Sequence, residues 1–281
     1  AAGNNNIAAS QASQSFDTRT TIELSAIAAG DGGFIINGQT TDDYSGYSVS
    51  SAGDINGDGL EDLIVGAYYA SPNGESAAGS SYVVFGTTDT TTALALSAVA
   101  AGTGGFVIHG EGGQYDRSGR SVSSAGDING DGLADLIIGA SGADPNGESG
   151  AGSSYVVFGT TDTTAIELSA VAAGSGGFII NGQTVWDNSG YSVSSAGDIN
   201  GDGLADLIVG AYGADPNGET NAGSSYVIFG SSTGAFSSGT NFSQLGTSSA
   251  DSISGTSGND AIAAGEGNDI ITANGGADVL Y

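Results

Sequence analysis

Three short acidic stretches carry the residues that could do chemistry in this chain. The first reads Asp-Ile-Asn-Gly-Asp-Gly-Leu-Glu-Asp over residues 54–62, and closely similar stretches recur at 127–135 and 198–206. Each copy places carboxylate or amide oxygens at positions 1, 3, 5 and 9, and a glycine at position 6, where the backbone must turn sharply around an ion. Because Ca²⁺ takes about six to eight oxygen ligands, the pattern predicts a calcium-binding loop in each copy.

The predicted ligands are the side-chain oxygens at positions 1, 3, 5 and 9 and the backbone carbonyl oxygen at position 7, with water completing the shell. They are Asp54, Asn56, Asp58, Leu60 and Asp62; Asp127, Asn129, Asp131, Leu133 and Asp135; and Asp198, Asn200, Asp202, Leu204 and Asp206. The alternative is a metal-free turn, because Asp, Asn and Gly also dominate turns. Three copies with the same oxygen positions favour metal binding.

The surrounding residues exclude an EF-hand and predict strands on both sides of each loop. An EF-hand needs a bidentate Glu at position 12, where this chain has Val65, Ile138 and Val209. Residues 47–50 alternate between apolar and polar, and 63–67 form a continuous apolar run, as in a strand buried on both faces. The loops are therefore expected to connect strands.

Composition limits the partners that this chain can have. Of its 281 residues 38% are apolar, which is enough to build a core. Its 31 acidic residues and 3 basic residues, all arginine, give a net charge of -28, which repels nucleic acid and anionic membranes and attracts cations. No run reaches the length of a membrane helix, so membrane insertion is not expected. Cysteine is absent, which excludes disulfides and thiol catalysis and leaves calcium to stabilise the protein outside the cell.

A longer repeat surrounds each loop, with a period of 73 and then 71 residues. Residues 1–20 are predicted as a loose leader, and one β-rich domain is predicted over 21–230, with repeats around 44–110, 115–182 and 188–230 plus a strand at 33–37. The residue pattern predicts four strands in each full repeat. In the first repeat they are 47–52, 63–67, 81–85 and 105–109. The segment 94–101 is either a short helix or another strand, because its periodicity does not decide.

The residues around the first loop allow a family comparison. They are Ser45-Gly46-Tyr47-Ser48-Val49 before it, and Leu63–Ala67 and Ser81–Gly86 after it. Together with the loop they resemble the FG-GAP repeat, the blade of the integrin α-chain β-propeller and of many secreted bacterial proteins. The resemblance covers about residues 22–230 and implies an all-β fold of β-propeller-type blades, each of four antiparallel strands, with calcium between the first two. The family's Gly-Ala-Pro is Gly66-Ala67-Tyr68 here, a change that affects a turn.

The number of repeats leaves the closure of such a propeller open. Propellers have about four to eight blades, whereas this chain has three calcium loops. The strands make three blades of four if the strand at 33–37 completes the third repeat. A fragment of a longer array, an open arc, and a six-bladed ring in which two chains share strands are the alternatives, the last of them a homo-oligomer.

A different period begins after a Gly/Ser-rich linker at 231–245. Residues 246–281 align as four nonapeptides, with an aspartate at the sixth position of each: Asp251, Asp260, Asp269 and Asp278. They resemble RTX repeats, which implies a short parallel β-roll whose glycine-rich turns bind calcium, with Asp260, Asp269 and Asp278 as ligands. The alternative is a disordered Gly/Asp tail.

A second acidic pattern lies between the second and third strands of each repeat. It reads Ser71-Pro72-Asn73-Gly74-Glu75 in the first repeat and begins with Asp in the other two. Pro-Asn-Gly favours a tight turn, which is the preferred interpretation. The alternative is a further hard-cation site in each repeat, weaker in the first, with these candidate ligands in the other two: Asp144, Asn146, Glu148, Asp215, Asn217 and Glu219.

The sequence contains no evident catalytic constellation. His109 is the only histidine, and Asn37 and Asn181 occupy the equivalent positions, so a Ser-His-Asp triad or a His-ligated zinc site has little support. An acid pair for glycoside hydrolysis stays open. Trp186, the only tryptophan, is either an anchor for a sugar or partner or a packing residue. The sequence favours a secreted or cell-surface calcium-binding adhesion or matrix protein that contacts a polysaccharide or a surface protein and is not an enzyme. The alternative is an accessory module of a secreted hydrolase of glycans or lipids.

Overall fold

The structure, a computed structural model, describes residues 21–88, 92–231, 244–245, 252–254, 261–263, 270–272, 274 and 279–280. The chain divides into two compact parts. The smaller part comprises the residues up to Ile35 together with Asp89–Ala93, and helix α1 (Leu24–Ala28) lies in it. The larger part contains the three repeats and the C-terminal segment. No helix among the described residues is long and apolar enough to cross a membrane.

The repeats of the larger part are made almost entirely of short strands. In chain order their elements are β1 (Ile36–Asn37), β2 (Ser48–Gly53), β3 (Asp62–Ala67), β4 (Ser80–Val84), β5 (Leu94–Ala95), α2 (Leu96–Ala100), β6 (Gly105–His109), β7 (Ser121–Gly126), β8 (Asp135–Ala140), β9 (Ser153–Val157), β10 (Ile166–Glu167), α3 (Leu168–Ala172), β11 (Gly177–Asn181), β12 (Ser189–Gly197), β13 (Asp206–Ala211) and β14 (Ser224–Ile228). A short 3₁₀ turn at Pro72–Gly74, Pro145–Gly147 or Pro216–Gly218 joins the second and third strands of each repeat.

Each repeat folds as an antiparallel blade. Strands β2, β3, β4 and β6 pair in that order in the first blade, and β7, β8, β9 and β11 do so in the second. The third blade contains β12, β13 and β14 among the described residues. The predicted all-β architecture of antiparallel blades is thus confirmed.

Two parallel pairings connect one repeat to the next. β10 pairs with β6 through Ile166 and Ile108, and β5 pairs with β1 in the same way through Leu94 and Ile36. The segment 94–101 is therefore both a strand and a helix, because β5 leads directly into α2. The hypothesis that the strand at 33–37 completes the third blade stays a prediction, because in this structure β1 and β14 do not pair with each other. Only Ile36–Asn37 form a strand, and they pair with β5, because β1 is the counterpart of β6 one repeat earlier.

The hydrophobic core lies between neighbouring blades. Ile55, Ile64 and Phe106 of the first blade are fully buried in one cluster with Val122 and Leu136 of the second. A second cluster joins the second blade to the third in the same way. Blades can approach this closely because of glycine. A Cβ atom on Gly66 would lie 2.1 Å from the carbonyl oxygen of Gly119, and one on Gly139 would lie 1.9 Å from that of Gly190.

The C-terminal segment has a different strand arrangement. Its strands are β15 (Gln244–Leu245), β16 (Ser252–Ser254), β17 (Ala261–Ala263), β18 (Ile270–Thr272) and β19 (Val279–Leu280). All of its pairs are parallel and join residues 18 positions apart, such as Ile253 and Ile271. Alternate nonapeptides therefore pair with each other, as in the parallel β-roll that the resemblance implied. Ile253 is buried, whereas Ile270 is exposed.

Candidate metal centres

Each predicted calcium loop connects the first and second strands of its blade. The loops at 54–62, 127–135 and 198–206 leave β2, β7 and β12, and position 9 is the first residue of the next strand. The apolar run after each loop forms a strand that is largely buried in the core. This buried strand fixes the position of the loop at the edge of the blade.

The side chains at positions 1, 3 and 5 gather on one backbone turn. Oδ1 of Asp54 and Oδ1 of Asn56 accept hydrogen bonds from the same amide, that of Asp58, at 3.0 and 2.8 Å. Oδ1 of Asp58 accepts the Leu60 amide at 2.8 Å. The other two loops repeat this network at Asp127, Asn129 and Asp131 and at Asp198, Asn200 and Asp202. Each loop thus presents a small, exposed group of oxygen atoms.

These oxygen atoms fit a hard cation in chemical kind, since Ca²⁺ binds carboxylate, amide and backbone oxygens. Within the described parts of the chain, no three carboxylate, imidazole or thiol side chains are already grouped around one metal position. One reason lies in the loop itself: position 3 is an amide, and the carboxylate at position 9 is already engaged by two backbone amides. The assignment of individual ligands therefore stays a prediction.

The aspartate at position 9 has a structural role that the sequence did not indicate. Asp62 is fully buried, and its two oxygens accept the amide of Ile55 at 3.0 Å and the amide of Gly86 at 2.7 Å. The equivalent carboxylates behave alike, Asp135 with Ile128 and Gly159 and Asp206 with Ile199 and Gly230. This side chain ties the loop to the end of the third strand. A carboxylate has about four lone-pair directions, so two amide bonds do not prevent it from also binding a cation.

Burial makes the position 9 carboxylate sensitive to a nearby cation. Burial raises the pKa of Asp135 to about 7, its bonds to the amides of Gly159 and Ile128 oppose that rise, and the charges of Asp131 and Asp127 add to it. The pKa of Asp62 is raised for the same reasons. A cation in the loop would favour the ionised form of both carboxylates, because opposite charge at short range stabilises it.

Backbone hydrogen bonds link each of the first two loops to the following repeat. The carbonyl oxygen of Asp54 accepts the amide of Ala134 at 3.1 Å, and that of Ile55 accepts the amide of Thr160 at 2.9 Å. The same link joins Asp127 to Ala205 at 3.3 Å. The loops are therefore arranged in series along the blades.

The Pro-Asn-Gly segments form tight turns. The side chain of the residue before each proline closes the turn with a hydrogen bond. Oδ1 of Asp144 accepts the amide of Gly150 at 2.6 Å, and Oδ1 of Asp215 accepts the amide of Asn221 at 2.6 Å. In the first repeat Oγ of Ser71 accepts the amide of Ala77 at 3.2 Å. The central asparagines have left-handed backbone conformations. This geometry supports the turn interpretation and leaves the weaker metal candidates in these segments as a hypothesis.

Three acidic side chains, those of Glu111, Asp116 and Asp144, line a cleft of about 580 Å³. Glu111 accepts a short hydrogen bond from the Tyr155 hydroxyl, and Asp116 accepts the Gly113 amide at 3.1 Å. Asp144, the third acid at this cleft, closes the turn described above. Each acid thus has a structural partner, so the cleft lends no particular support to an acid pair for hydrolysis.

His109 also has a local partner. Its Nδ1 lies 3.3 Å from the Ser80 hydroxyl, and in the next repeat Oδ1 of Asn181 accepts the Ser153 hydroxyl at 3.2 Å. The two residue types therefore occupy one structural position, at the end of the fourth strand. Trp186 is 65% exposed and has a left-handed backbone conformation. Its ring lies against the backbone of Gly150, where an added Cβ would come within 2.6 Å of it.

Aromatic side chains surround Arg120, a residue to which the sequence assigned no role. We name Tyr47, Tyr68, Arg120, Tyr191 and Tyr212 the tyrosine-arginine cluster. The Arg120 guanidinium lies 4.2 Å from the centre of the Tyr191 ring and 5.6 Å from each of the Tyr47 and Tyr68 rings, and it donates to the Tyr191 hydroxyl at 2.7 Å. The Tyr47 and Tyr212 side chains are 54% and 57% exposed. Residues at matching positions of all three repeats thus meet on one surface.

The remaining predicted ligands, Asp260, Asp269 and Asp278, lie outside the described residues.

Comparison with known families agrees with these repeats. The FG-GAP repeat matches residues 45–84, 118–157 and 189–228, and the RTX calcium-binding nonapeptide repeat matches residues 245–280. The first three matches contain the three loops, and the fourth contains the parallel strands.

Known proteins with similar sequences are mainly integrin α chains. The chain is 29% identical to integrin alpha-PS2 of Drosophila melanogaster over 187 residues, 65% of this chain and 12% of that protein. It is 31% identical to integrin alpha-5 of Xenopus laevis over 192 residues, 64% of this chain and 16% of that protein. Phosphatidylinositol-glycan-specific phospholipase D of Bos taurus is 35% identical over 128 residues, 45% of this chain and 15% of that protein. The chain therefore matches only a small part of each relative. It contains three FG-GAP repeats followed by RTX calcium-binding nonapeptide repeats, and the FG-GAP repeats of integrins also bind divalent cations.

Proposed function

We propose that this protein is a secreted or cell-surface calcium-binding adhesion or matrix protein, without enzymatic activity, whose binding surface includes the tyrosine-arginine cluster. The observation that carries the proposal is a partly exposed cluster on an acidic molecule, in which three tyrosine rings contact one guanidinium and the exposed Tyr212 ring packs against Tyr191. Tyrosine and arginine are the side chains most often found at energetically important interface positions, because they combine large contact area with polar groups.

The partner is an extracellular polysaccharide or a surface protein. Tyrosine rings stack on flat, weakly polar faces such as those of pyranose rings, while their hydroxyl groups and Arg120 donate hydrogen bonds. The net charge of -28 disfavours nucleic acid and anionic membranes as partners. Calcium has a structural role here, because ions in the loops would hold the ends of the first two strands of each blade.

A binding assay against immobilised polysaccharides and cell-surface proteins in millimolar calcium tests the proposal. Tyr191→Ala should weaken binding to any partner by about tenfold or more, since the substitution removes both the stacking surface and the hydroxyl that orients Arg120. Tyr115→Ala is the matched control, because Tyr115 is 52% exposed and outside the cluster. Equal binding by both variants would contradict the assignment of the surface. Release of new reducing ends would contradict the absence of enzymatic activity and indicate the alternative, a module of a hydrolase.

A further inference from the structure

The third blade has an unpaired outer edge among the described residues. Strands β4 and β9 of the first two blades pair on that edge with β6 and β11, whereas the corresponding strand β14 pairs only with β13. The side chains of β14 reflect this difference. Val227 is 43% exposed, although its counterparts Val83 and Val156 are fully buried.

The described residues also include a strand, β1, that belongs to none of the three blades. The segment Gly33-Phe34-Ile35-Ile36-Asn37 is identical in sequence to Gly177–Asn181, which is β11 of the second blade. Strand β6 uses one edge for β10 and the other for β4, whereas among the described residues β1 pairs only with β5. The edge of β1 without a described partner corresponds to the edge of β6 that pairs with β4. β14, the counterpart of β4, lacks a described partner of this kind.

The outer faces of the first and third blades are complementary as well. Ile199 and Ile208 of the third blade are 61% and 36% exposed, although their counterparts in the first and second blades are fully buried against the next blade. In the first blade, Val49 is 64% exposed, whereas its counterparts Val122 and Val193 are 4% and 6% exposed. One end of the array therefore exposes the apolar surface that the other end would cover.

We propose that copies of this chain assemble head to tail, with Gly33–Asn37 of one copy forming the fourth strand of the third blade of the next copy. The register of the first blade, where Ser81 faces Ile108 and Val83 faces Phe106, places Ile36 opposite Ser225 and Phe34 opposite Val227. β1 need not move, because it already lies on β5 as β6 lies on β10. Such a contact is heterologous, so it produces a closed ring or a filament. The net charge of -28 opposes it, so assembly should strengthen when calcium is bound.

Cysteine pairs test the register, because the chain has no cysteine of its own. The double variant Asn37→Cys/Ser224→Cys reproduces the close pairs His109/Ser80 and Asn181/Ser153 between copies. Mild oxidation of the full chain in calcium should give disulfide-linked dimers and larger species on a non-reducing gel. The control Asn37→Cys/Ser225→Cys moves one thiol to the opposite face of β14 and should give far fewer. A disulfide within one chain, equal cross-linking in both variants, or no cross-linking would each overturn the proposal.

Sedimentation velocity over a range of protein concentrations tests the apolar contact. Gly210→Ala should weaken assembly by about tenfold or more while leaving the fold intact, because Gly210 is the counterpart of Gly66 and Gly139 but an added Cβ would meet only Ser192, at 3.5 Å. Val227→Asp should do the same, whereas Val185→Asp, at a valine that is 40% exposed and outside this face, should not. The melting temperature of each variant shows whether it is folded. A chain that stays monomeric at all concentrations in calcium, or assembly unchanged in folded Gly210→Ala and Val227→Asp variants, would overturn the proposal.

Discussion

The position 9 aspartates combine two roles that substitution can separate. Asp135→Ala leaves the amides of Ile128 and Gly159 without an acceptor in a buried site, at about 1–3 kcal/mol for each. We therefore expect a loss of about 2–5 kcal/mol in the free energy of unfolding, both with calcium and with a chelator. Denaturant unfolding in the two buffers measures it.

The control for this prediction is Asp131→Ala in the same loop. Asp131 is exposed, so its removal should lower stability mainly when calcium is present. If Asp135→Ala lost stability only in calcium, the carboxylate would act through the ion and not through its two amide bonds.

Calcium titration distinguishes the loop residues from the turn residues. Asp58→Ala removes a predicted ligand, so calorimetry should find one site fewer than in the unmodified chain, with the other loops unaffected. Asp215→Ser should leave the number of sites unchanged, because Ser71 closes the equivalent turn of the first repeat with its hydroxyl. A loss of calcium binding in Asp215→Ser would instead make the Pro-Asn-Gly segments metal sites.

The spacing of the oxygen-bearing residues was sufficient to locate the loops. It did not predict the structural role of the aspartate at position 9. The positions of Asp54, Asn56 and Asp58 follow from a nine-residue pattern, and the structure brings their oxygens together as expected. The structural role of Asp62, which ties the loop to the third strand, depends on Gly86. Gly86 lies 24 residues away, after the end of that strand. The tyrosine-arginine cluster depends similarly on the packing of three repeats, so no local pattern indicates it.

At the scale of the elements, close packing between blades depends on one glycine in each second strand. Gly139→Ala should lower the free energy of unfolding by about 1–3 kcal/mol or more, because the new methyl group would overlap the backbone of Gly190. Thermal unfolding measures the effect. Gly210→Ala, at the same position of the third blade, is the control and should change the stability of the monomer little. Equal losses in both variants would show that the strand itself, and not the neighbouring blade, requires glycine.

The sequence predicted the positions of the strands better than it predicted which strands pair with each other. Alternation and apolar runs predicted 105–109 correctly and placed the other three strands of the first blade within one residue of their observed ends. The segment 94–101 could not be assigned to one type of secondary structure, because it contains both the strand β5 and the helix α2. The partner of β1 could not be predicted, since a five-residue apolar strand fits any blade that lacks its fourth strand and only packing selects among them.

For the whole molecule, calcium should be a major source of stability. Without an ion, clustered carboxylates repel each other in each loop, so a calcium chelator should lower the melting temperature by several degrees, about 2–4 °C for each kcal/mol lost in a protein of this size. Added calcium should reverse the change, and magnesium at the same concentration should do so less well, because Mg²⁺ requires a more regular octahedral site. A melting curve that does not respond to the chelator would contradict a structural role of the ion.

The hydrogen bonds that join the first two loops to the next repeat also have a mechanical consequence. Tension applied along the blades passes from loop to loop through the carbonyl oxygens of residues such as Asp54 and Asp127. Each junction in that path lies beside a predicted ion. The stiffness of the array under load should therefore vary with the calcium concentration of the surrounding medium, so that the same molecule would be extensible where calcium is scarce and rigid where it is abundant.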